Sequence, residues 1–472
     1  MRTAIGVAVV LVFPVLLLLG LRALQRRRQL HPELARKLFH IGGGLLGLAL
    51  PWLTPQPAVV ILLTAVSISG LFLLSRNPSL EEKAGRVLSS VGRASLGDVC
   101  FPFSVCVLFL ITRWNLVLYS VPLLVLTFGD AVAALIGVRY GLKRYAATDG
   151  FKSLEGSTAF FITAFFCVHV PLLLGTKVGR AECLLIAVML GLLVMMVEAV
   201  AWNGLDNLFI PMASFILLRV FLRLTVTELV ERLAVTALLA LVVFLAGKRT
   251  TLNTSGLLGA IFVGYLLWVG GDHRWVIMPT LVFLAYRKLS PDSEWDGVAM
   301  HDIHVVLSVC LAGLVYLFCS ETFGGPEFLL AATIGFAAHL AIIGLVRWRL
   351  KTGMEPSFPT SAATVLGAWF FLFAPYAGFA VARHARAAGL LLDLALGFLG
   401  VVVGVAVYRV TPAPMAADGV DIRRWRWQGV AAAAGSLVGL LPIVIRASWG
   451  ILRPCLRFAR FIPIANWRRF AP

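Results

Sequence analysis

Charged residues are scarce in this 472-residue chain: only 14% are Asp, Glu, Lys or Arg, while 60% are hydrophobic. Soluble domains carry about a quarter charged residues, so the shortage excludes a soluble globular enzyme and a disordered chain. Acids are scarcer than bases, 23 against 41, giving a net charge of +18. The basic residues interrupt apolar runs instead of lining one helix face, which marks membrane loops and argues against nucleic acid as a partner. The seven cysteines lie mostly inside apolar runs and show no C-x-x-C spacing. They read as small core residues and exclude a disulfide scaffold. Gly-x4-Gly-Lys-Ser/Thr is also missing, so a P-loop enzyme is excluded.

What is present is a series of apolar segments near the length, about 20 residues, that crosses a bilayer as helix. The expected fold class is all-α, a polytopic helical bundle of about 15–16 spans in the lipid bilayer. The first run, 4–21, precedes Arg26, Arg27 and Arg28 and reads as a retained helix, not a cleaved signal. Further spans are expected near 39–52, 57–75, 97–112, 115–137, 157–175, 182–201, 208–222 and 233–247. In the second half they fall near 255–271, 275–287, 303–319, 328–346, 360–380, 388–408 and 428–446. The polar stretch from Gly247 to Ser255 divides the chain into membrane modules 1–247 and 248–472.

Loop charge gives an expected topology. The segment 22–37 holds Arg22, Arg26, Arg27, Arg28, Arg36 and Lys37; 76–96 holds Arg76, Lys83, Arg86 and Arg93; 138–156 holds Arg139, Lys143, Arg144 and Lys152. The intervening loops hold only Arg113, then Lys177 and Arg180, which assigns the rich loops to the cytoplasmic side. With no organelle address evident, a bacterial plasma (inner) membrane is the default. The basic tail from Arg453 to Arg469 fits this alternation only if one late span, with 428–446 the first suspect, is re-entrant, or if the tail lies along the interface.

Ionisable residues inside or bordering apolar runs need a functional reason, because one at mid-bilayer costs about 2.5–3.5 kcal/mol on insertion scales. Four segments of the first half carry them. In Arg36-Lys37-Leu38-Phe39-His40 a basic pair and an imidazole at a helix entry suit an anion, or else anchor the span. Gly129-Asp130 closes a long run without an obvious ion-pair partner, with Gly137, Arg139 and Gly141 beyond it, and suits Mg²⁺ on a nucleotide. In Lys152-Ser153-Leu154-Glu155-Gly156-Ser157, Lys152 offers a point charge to phosphate, Ser157 a helix cap and Glu155 a metal ligand. The plainer alternative is a surface Lys152–Glu155 pair. Glu198 interrupts an apolar span, and Asp206-Asn207 stands just before the next. Cations for phosphates together with carboxylates for a metal are the requirements of phosphoryl transfer.

The order R-K-x-x-H-I-x-G-G, G-D-A-x-A-A-x-x-G-x-x-Y-G, K-S-x-E-G-S, then E followed by L-D-N-L-x-I-P resembles the phytol, farnesol and dolichol kinase family, over about residues 30–220. That resemblance implies a polytopic enzyme that phosphorylates an isoprenoid alcohol, with CTP as donor and Mg²⁺ as cofactor. It implies catalytic Asp130, Lys152, Asp206 and His40, and metal ligands Asp130, Glu155, Glu198 and Asp206. Arg36, Lys37, Gly129, Gly137, Arg139, Ser153, Gly156 and Asn207 would bind the nucleotide. The competing functions are phosphatidate cytidylyl transfer, against which the P-G-H-G-G-x-x-D-R type segment is missing, and membrane transport.

In the second half, Leu252-Asn253-Thr254-Ser255-Gly256, Gly259, Ala260, Gly264, Gly270-Gly271 and Trp275 resemble the start of the phytyl-phosphate kinase family. His301-Asp302 falls at that family's Arg-Asp pair, but Ala338–Ile343 lacks the carboxylates of its later acidic segment. A structural module that seals or delivers the lipid is the expectation, with a prenyl-phosphate kinase as the alternative. Asp292, Glu294, Asp296, His301, Asp302 and His304 form a polar turn with some capacity for metal.

Overall fold

The computed structural model describes residues 2–29, 31–76, 96–112, 115–148, 150–247, 251–289, 301–325, 327–382, 386–410 and 422–443. The chain is an all-α polytopic membrane bundle. Among the described residues, eight helices are long and apolar enough to cross a bilayer. Three shorter apolar helices, Pro57–Leu73, Val99–Thr112 and Thr254–Gly270, accompany them. The expected tail from Arg453 onward and the acids Asp292, Glu294 and Asp296 lie outside the described residues.

The chain divides into two compact units, Met1–Ala234 and Val235–Arg469, and the division falls within one helix, Val226–Gly247. In the first unit the elements are α1 (Arg2–Arg28), α2 (Pro32–Leu53), α3 (Pro57–Arg76), α4 (Gly97–Thr112), α5 (Leu116–Leu124) and α6 (Asp130–Tyr140). A two-stranded hairpin, β1 (Arg144–Ala147) and β2 (Gly150–Ser153), leads into α7 (Leu154–Gly175), α8 (Arg180–Val200) and α9 (Asp206–Phe221). The hairpin is an addition to the helical pattern. Its sequence signal is Asp149-Gly150, with Gly150 at φ +128°, a backbone state that suits glycine.

Helix α8 is apolar on every face and buried along most of its length, which is what a helix hydrophobic all round requires. It packs between α7 and α9 and forms the centre of this unit. Helix α2 starts at Pro32, where the missing N–H costs nothing, and not near residue 39. The extra helix, about two turns, carries Lys37 into the interior, so Lys37 is a buried residue and not a loop anchor.

Helices α5 and α6 are one continuous rod broken in register by a single π turn, Val125–Gly129. Pro122 sits just before it and lacks the N–H that a regular turn would use. The turn delivers Asp130 to the interior as the first residue of α6.

The hairpin folds tightly back on α6 through small residues. A Cβ on Gly156 would stand 3.0 Å from the Ala133 carbonyl oxygen and 3.3 Å from the Gly137 Cα. A Cβ on Gly141 would run into the Gly137 carbonyl and stand 2.8 Å from Ser153. The role of Gly137 and Gly156 in the described structure is thus close helix packing. Gly156→Ala is expected to cost about 1–3 kcal/mol, the range for overpacking a tight contact, measured as a lowered unfolding midpoint in detergent. An unchanged midpoint would remove this account of the glycines.

The second unit surrounds α14 (Glu327–Thr352), which is buried on nearly all sides. Around it pack α12 (His273–Leu289), α13 (Ile303–Phe323), α15 (Phe358–Ala382), α16 (Ala387–Val410) and α17 (Ile422–Ser436). Helix α11 (Thr254–Gly270) packs on α12 and α13, and α10 is the helix Val226–Gly247. Helix α17 ends at Ser436 and passes into a short 3₁₀ turn, Leu437–Leu440, after which residues 441–443 are helical again; residues 444–446 of the expected span lie outside the described residues.

Candidate active site

Four segments that are distant in sequence meet in the first unit. Lys37 of α2 donates to Asp130 Oδ2 at 2.6 Å, with the two residues only 2% and 7% exposed. His40, one turn further along α2, places Nε2 at 3.5 Å from the same oxygen and 3.2 Å from the Leu126 carbonyl of the π turn. The edge of Phe101 closes on the imidazole, with ring centroids 5.0 Å apart. The absence of an ion-pair partner for Asp130, expected from its neighbours in sequence, is therefore corrected: the partner comes from 93 residues away.

The second contact pair is Lys152 with Glu198. Lys152 Nζ donates to Glu198 Oε1 at 2.6 Å and also to the Glu198 main-chain carbonyl. The surface Lys152–Glu155 pair is thus replaced by a pairing across two elements, because the hairpin turns Lys152 away from α7. Tyr145 is Lys152's cross-strand partner, and its Oη lies 2.6 Å from Ser157 Oγ. Burial draws the Lys152 ammonium toward its neutral form, but the charge and hydrogen bond of Glu198, aided by Asp206 and Tyr145, hold its pKa above 10.5. A folded pKa raised in this way means that the pair's stabilisation is complete below about pH 10.5 and is lost as pH rises through the folded value.

Asp206 opens α9 after a reversal in which Asn203 (φ +53°) and Gly204 (φ +78°) both adopt left-handed backbone, a state that asparagine and glycine tolerate best. The loop is fastened by the Leu96 N–H on the Asn203 carbonyl at 3.0 Å. Among the described residues no cation contacts Asp206, yet its charge acts on Arg36, His40 and Lys152. It therefore lies within electrostatic reach of both ion pairs. Asn207 donates Nδ2 to the Gly97 carbonyl at 3.2 Å, while its Oδ1 is buried without a hydrogen-bond partner. A buried orphan oxygen needs an explanation such as an absent ion or water.

Other expected residues lie elsewhere or serve the scaffold. Arg36 is held by Glu33, a bidentate partner at 2.6 and 3.0 Å that the i, i+3 spacing could have revealed. Glu155 is half-buried at the hairpin base, where its carboxylate accepts the Lys143 N–H at 3.2 and 3.3 Å. Arg139 is exposed and lies over the Tyr140 ring at 5.5 Å. Ser153, not Ser157, caps α7, accepting the Gly156 N–H at 3.1 Å. Gly129 packs on Phe160, 3.1 Å from where its Cβ would stand. Tyr145 and Glu33 were missed; Tyr145 is legible only once the hairpin is known.

The four carboxylates expected to hold metal do not form one cage: among the described residues no three His, Cys, Asp or Glu side chains could share an ion. Asp130 and Glu198 are instead neutralised by Lys37 and Lys152. Magnesium on a nucleotide needs only one or two carboxylates, with phosphates and water completing the shell. The Asp206 carboxylate and the orphan Asn207 Oδ1 are hard oxygen donors of the kind it takes.

In the second unit His301 and Asp302 are also structural. His301 Nδ1 lies 2.9 Å from Thr251 Oγ1, and Asp302 caps α13 through the His304 N–H at 3.0 Å.

Lys152→Met is expected to lower the unfolding midpoint in detergent, because it leaves the buried Glu198 carboxylate without its partner; an unchanged midpoint would show that the pair is not desolvated.

No family model matches the sequence, and no solved structure matches it. A curated relative does: the phytol kinase of Synechocystis sp. is 33% identical over 195 residues, a match covering 40% of this chain and 81% of the relative. At that identity and coverage of the relative, the chain belongs to the phytol kinase family.

Proposed function

We propose that the chain transfers the γ-phosphoryl group of CTP to the hydroxyl of an isoprenoid alcohol, at the cytoplasmic face of a bacterial plasma membrane. The observation that carries this reading is a pair of ion pairs in one membrane unit, the buried Lys37–Asp130 beside His40 and the part-buried Lys152–Glu198, with the Asp206 charge acting on His40 and on Lys152. The relative's name points to the same class of acceptor.

An incoming triphosphate competes with Glu198 and Asp130 for Lys152 and Lys37, so both ammonium groups are preplaced by carboxylates that a phosphate can supplant. Arg36, tied to Glu33, adds positive potential at the entry of α2. Asp206 and the Asn207 side-chain oxygen would hold Mg²⁺. When bound, that ion neutralises charge on the β- and γ-phosphate oxygens.

The alcohol oxygen forms the new bond to the γ-phosphorus as the bond from that phosphorus to the β–γ bridging oxygen breaks. CDP leaves, and the hydroxyl proton passes to the Asp130–His40 pair. Lys37 and Lys152 stabilise the charge that spreads over the transferring oxygens. The close fit of α6, the hairpin and α7 keeps these groups fixed while the lipid chain lies among the spans.

The test is incubation of membranes containing the full chain with γ-labelled CTP, ATP, GTP or UTP and farnesol, geranylgeraniol, phytol or a long polyprenol. The expected product is a labelled prenyl monophosphate with unlabelled CDP. A CDP-lipid with pyrophosphate would establish cytidylyl transfer instead, and nucleotide-independent uptake into vesicles would establish transport.

A further inference from the structure

Helix α6 ends and helix α7 begins two consecutive segments long enough to cross a bilayer, Leu116–Tyr140 and Leu154–Gly175. The hairpin that joins them therefore lies at one surface of the membrane, where head groups meet hydrocarbon. Its exposed side chains are of two kinds. Leu142 is 89% and Phe151 77% exposed, and Tyr140 and Leu154 at the adjoining helix ends are exposed as well. Arg139, Lys143 and Arg144 stand among them, also exposed. Arg139 lies over the Tyr140 ring, while among the described residues no carboxylate forms an ion pair with the Lys143 or Arg144 side chain. The nearby acids are Glu155, whose carboxylate is taken up by the Lys143 main-chain N–H, and Asp149 of the turn, which lies outside the described residues.

The strand register separates this surface from the ion pairs of the candidate site. Arg144 pairs with Ser153, Tyr145 with Lys152 and Ala146 with Phe151, so Arg144 and Phe151 share one face of the ladder and Tyr145 and Lys152 the other. Lys152 reaches Glu198 from that second face. Arg144 is thereby turned away from the proposed phosphate site, and its charge serves another partner.

The mixture of side chains selects that partner. Water is a poor neighbour for so much apolar surface on one short loop. A second copy of the chain, seated on this face through a two-fold axis, would bring like charges together. A layer of acidic phospholipid satisfies both kinds of side chain. Its acyl chains take the leucine and phenylalanine, its phosphates take the ammonium and guanidinium groups, and the long stems of lysine and arginine bridge the two levels.

We infer that the hairpin, residues 141–153, is a binding surface for anionic phospholipid, with Leu142 and Phe151 set among the acyl chains and Lys143 and Arg144 on the head-group phosphates. Lipid on one face of β2 steadies the strand whose other face presents Lys152 to Glu198. The inference does not rest on the phosphoryl-transfer reading, since its test needs no nucleotide.

The experiment places the photoreactive residue p-benzoylphenylalanine at position 151 of the full chain, in nanodiscs of phosphatidylcholine and phosphatidylglycerol in equal amounts, and identifies the adducts by mass spectrometry after illumination. The same probe in place of Phe166, exposed midway along α7, is the reference. Lipid adducts are expected at position 151, with the phosphatidylglycerol share exceeding that at position 166 by at least about fivefold, the worth of one cation at an anionic surface. Lys143→Gln combined with Arg144→Gln keeps the adducts and the unfolding midpoint in detergent, and brings the lipid ratio down to that of the reference. Equal ratios at the two positions, a preference that survives the double variant, a crosslink to a second copy of the chain in place of lipid, or no adduct at 151 while 166 still labels would each overturn the inference. Failure of phosphoryl transfer in the same nanodiscs would sink the kinase reading and leave this one standing.

Discussion

Lys37→Met is expected to destabilise the first unit by about 3–5 kcal/mol, because it strands the Asp130 carboxylate in a buried site with its partner gone. The penalty follows from burial: Lys37 is 2% exposed and Asp130 7%. His40 is a poor substitute, because its Nε2 stands 3.5 Å from the oxygen that Lys37 reaches at 2.6 Å and is shared with the Leu126 carbonyl. Unfolding in detergent can be followed by a thiol-reactive dye, because Cys106 and Cys183 are buried thiols of the first unit that become reactive on opening. Removing both charges, as in Lys37→Met with Asp130→Leu, should restore most of the stability while phosphoryl transfer stays absent. Recovery of activity together with stability would show that the pair is only scaffold. A single variant as stable as the parent would show that the ion pair is not desolvated.

Asp206→Asn is expected to leave the fold intact and lower phosphoryl transfer by about 10²–10³, the range for removing one preorganised charge-stabilising group. No cation contacts Asp206 among the described residues, so its loss strands no buried partner. The remaining activity should need more Mg²⁺ than the parent, measured as a rightward shift of the metal titration. Glu155→Gln serves as the comparison, since that residue is only partly buried and its carboxylate is occupied by a backbone N–H. Its activity should stay within a factor of two of the parent. The reverse ranking would return the metal to the hairpin base and discard the Asp206–Asn207 assignment.

Much of this was legible in the chain itself. The helical class follows from apolar run length, and Asp130, Glu198 and Asp206 announce themselves as acids that interrupt or border such runs. Partnership was not legible. Lys37 looked like a loop cation because its helix begins about two turns before the apolar run, and polar residues in those turns carry no hydropathy signal. Lys152 has Glu155 three residues away, so local spacing favours that acid over Glu198, 46 residues distant, until the hairpin reverses the chain. Ser153 and Ser157 are indistinguishable as caps by composition; only the backbone at Ser153, extended at φ −123° and ψ 147°, decides between them.

The single π turn before Asp130 has a geometric consequence. Inserting one residue into a rod with about 3.6 residues per turn rotates everything downstream by roughly 100°. Residues 116–124 and 130–140 thus present faces set by two different phases, and the surplus amino acid at Val125–Gly129 aligns the carboxylate with α2. Excising one residue there would swing Asp130 out of Lys37's reach while altering neither side chain, so the chemistry of this site is encoded partly in a count of residues and not in their identities.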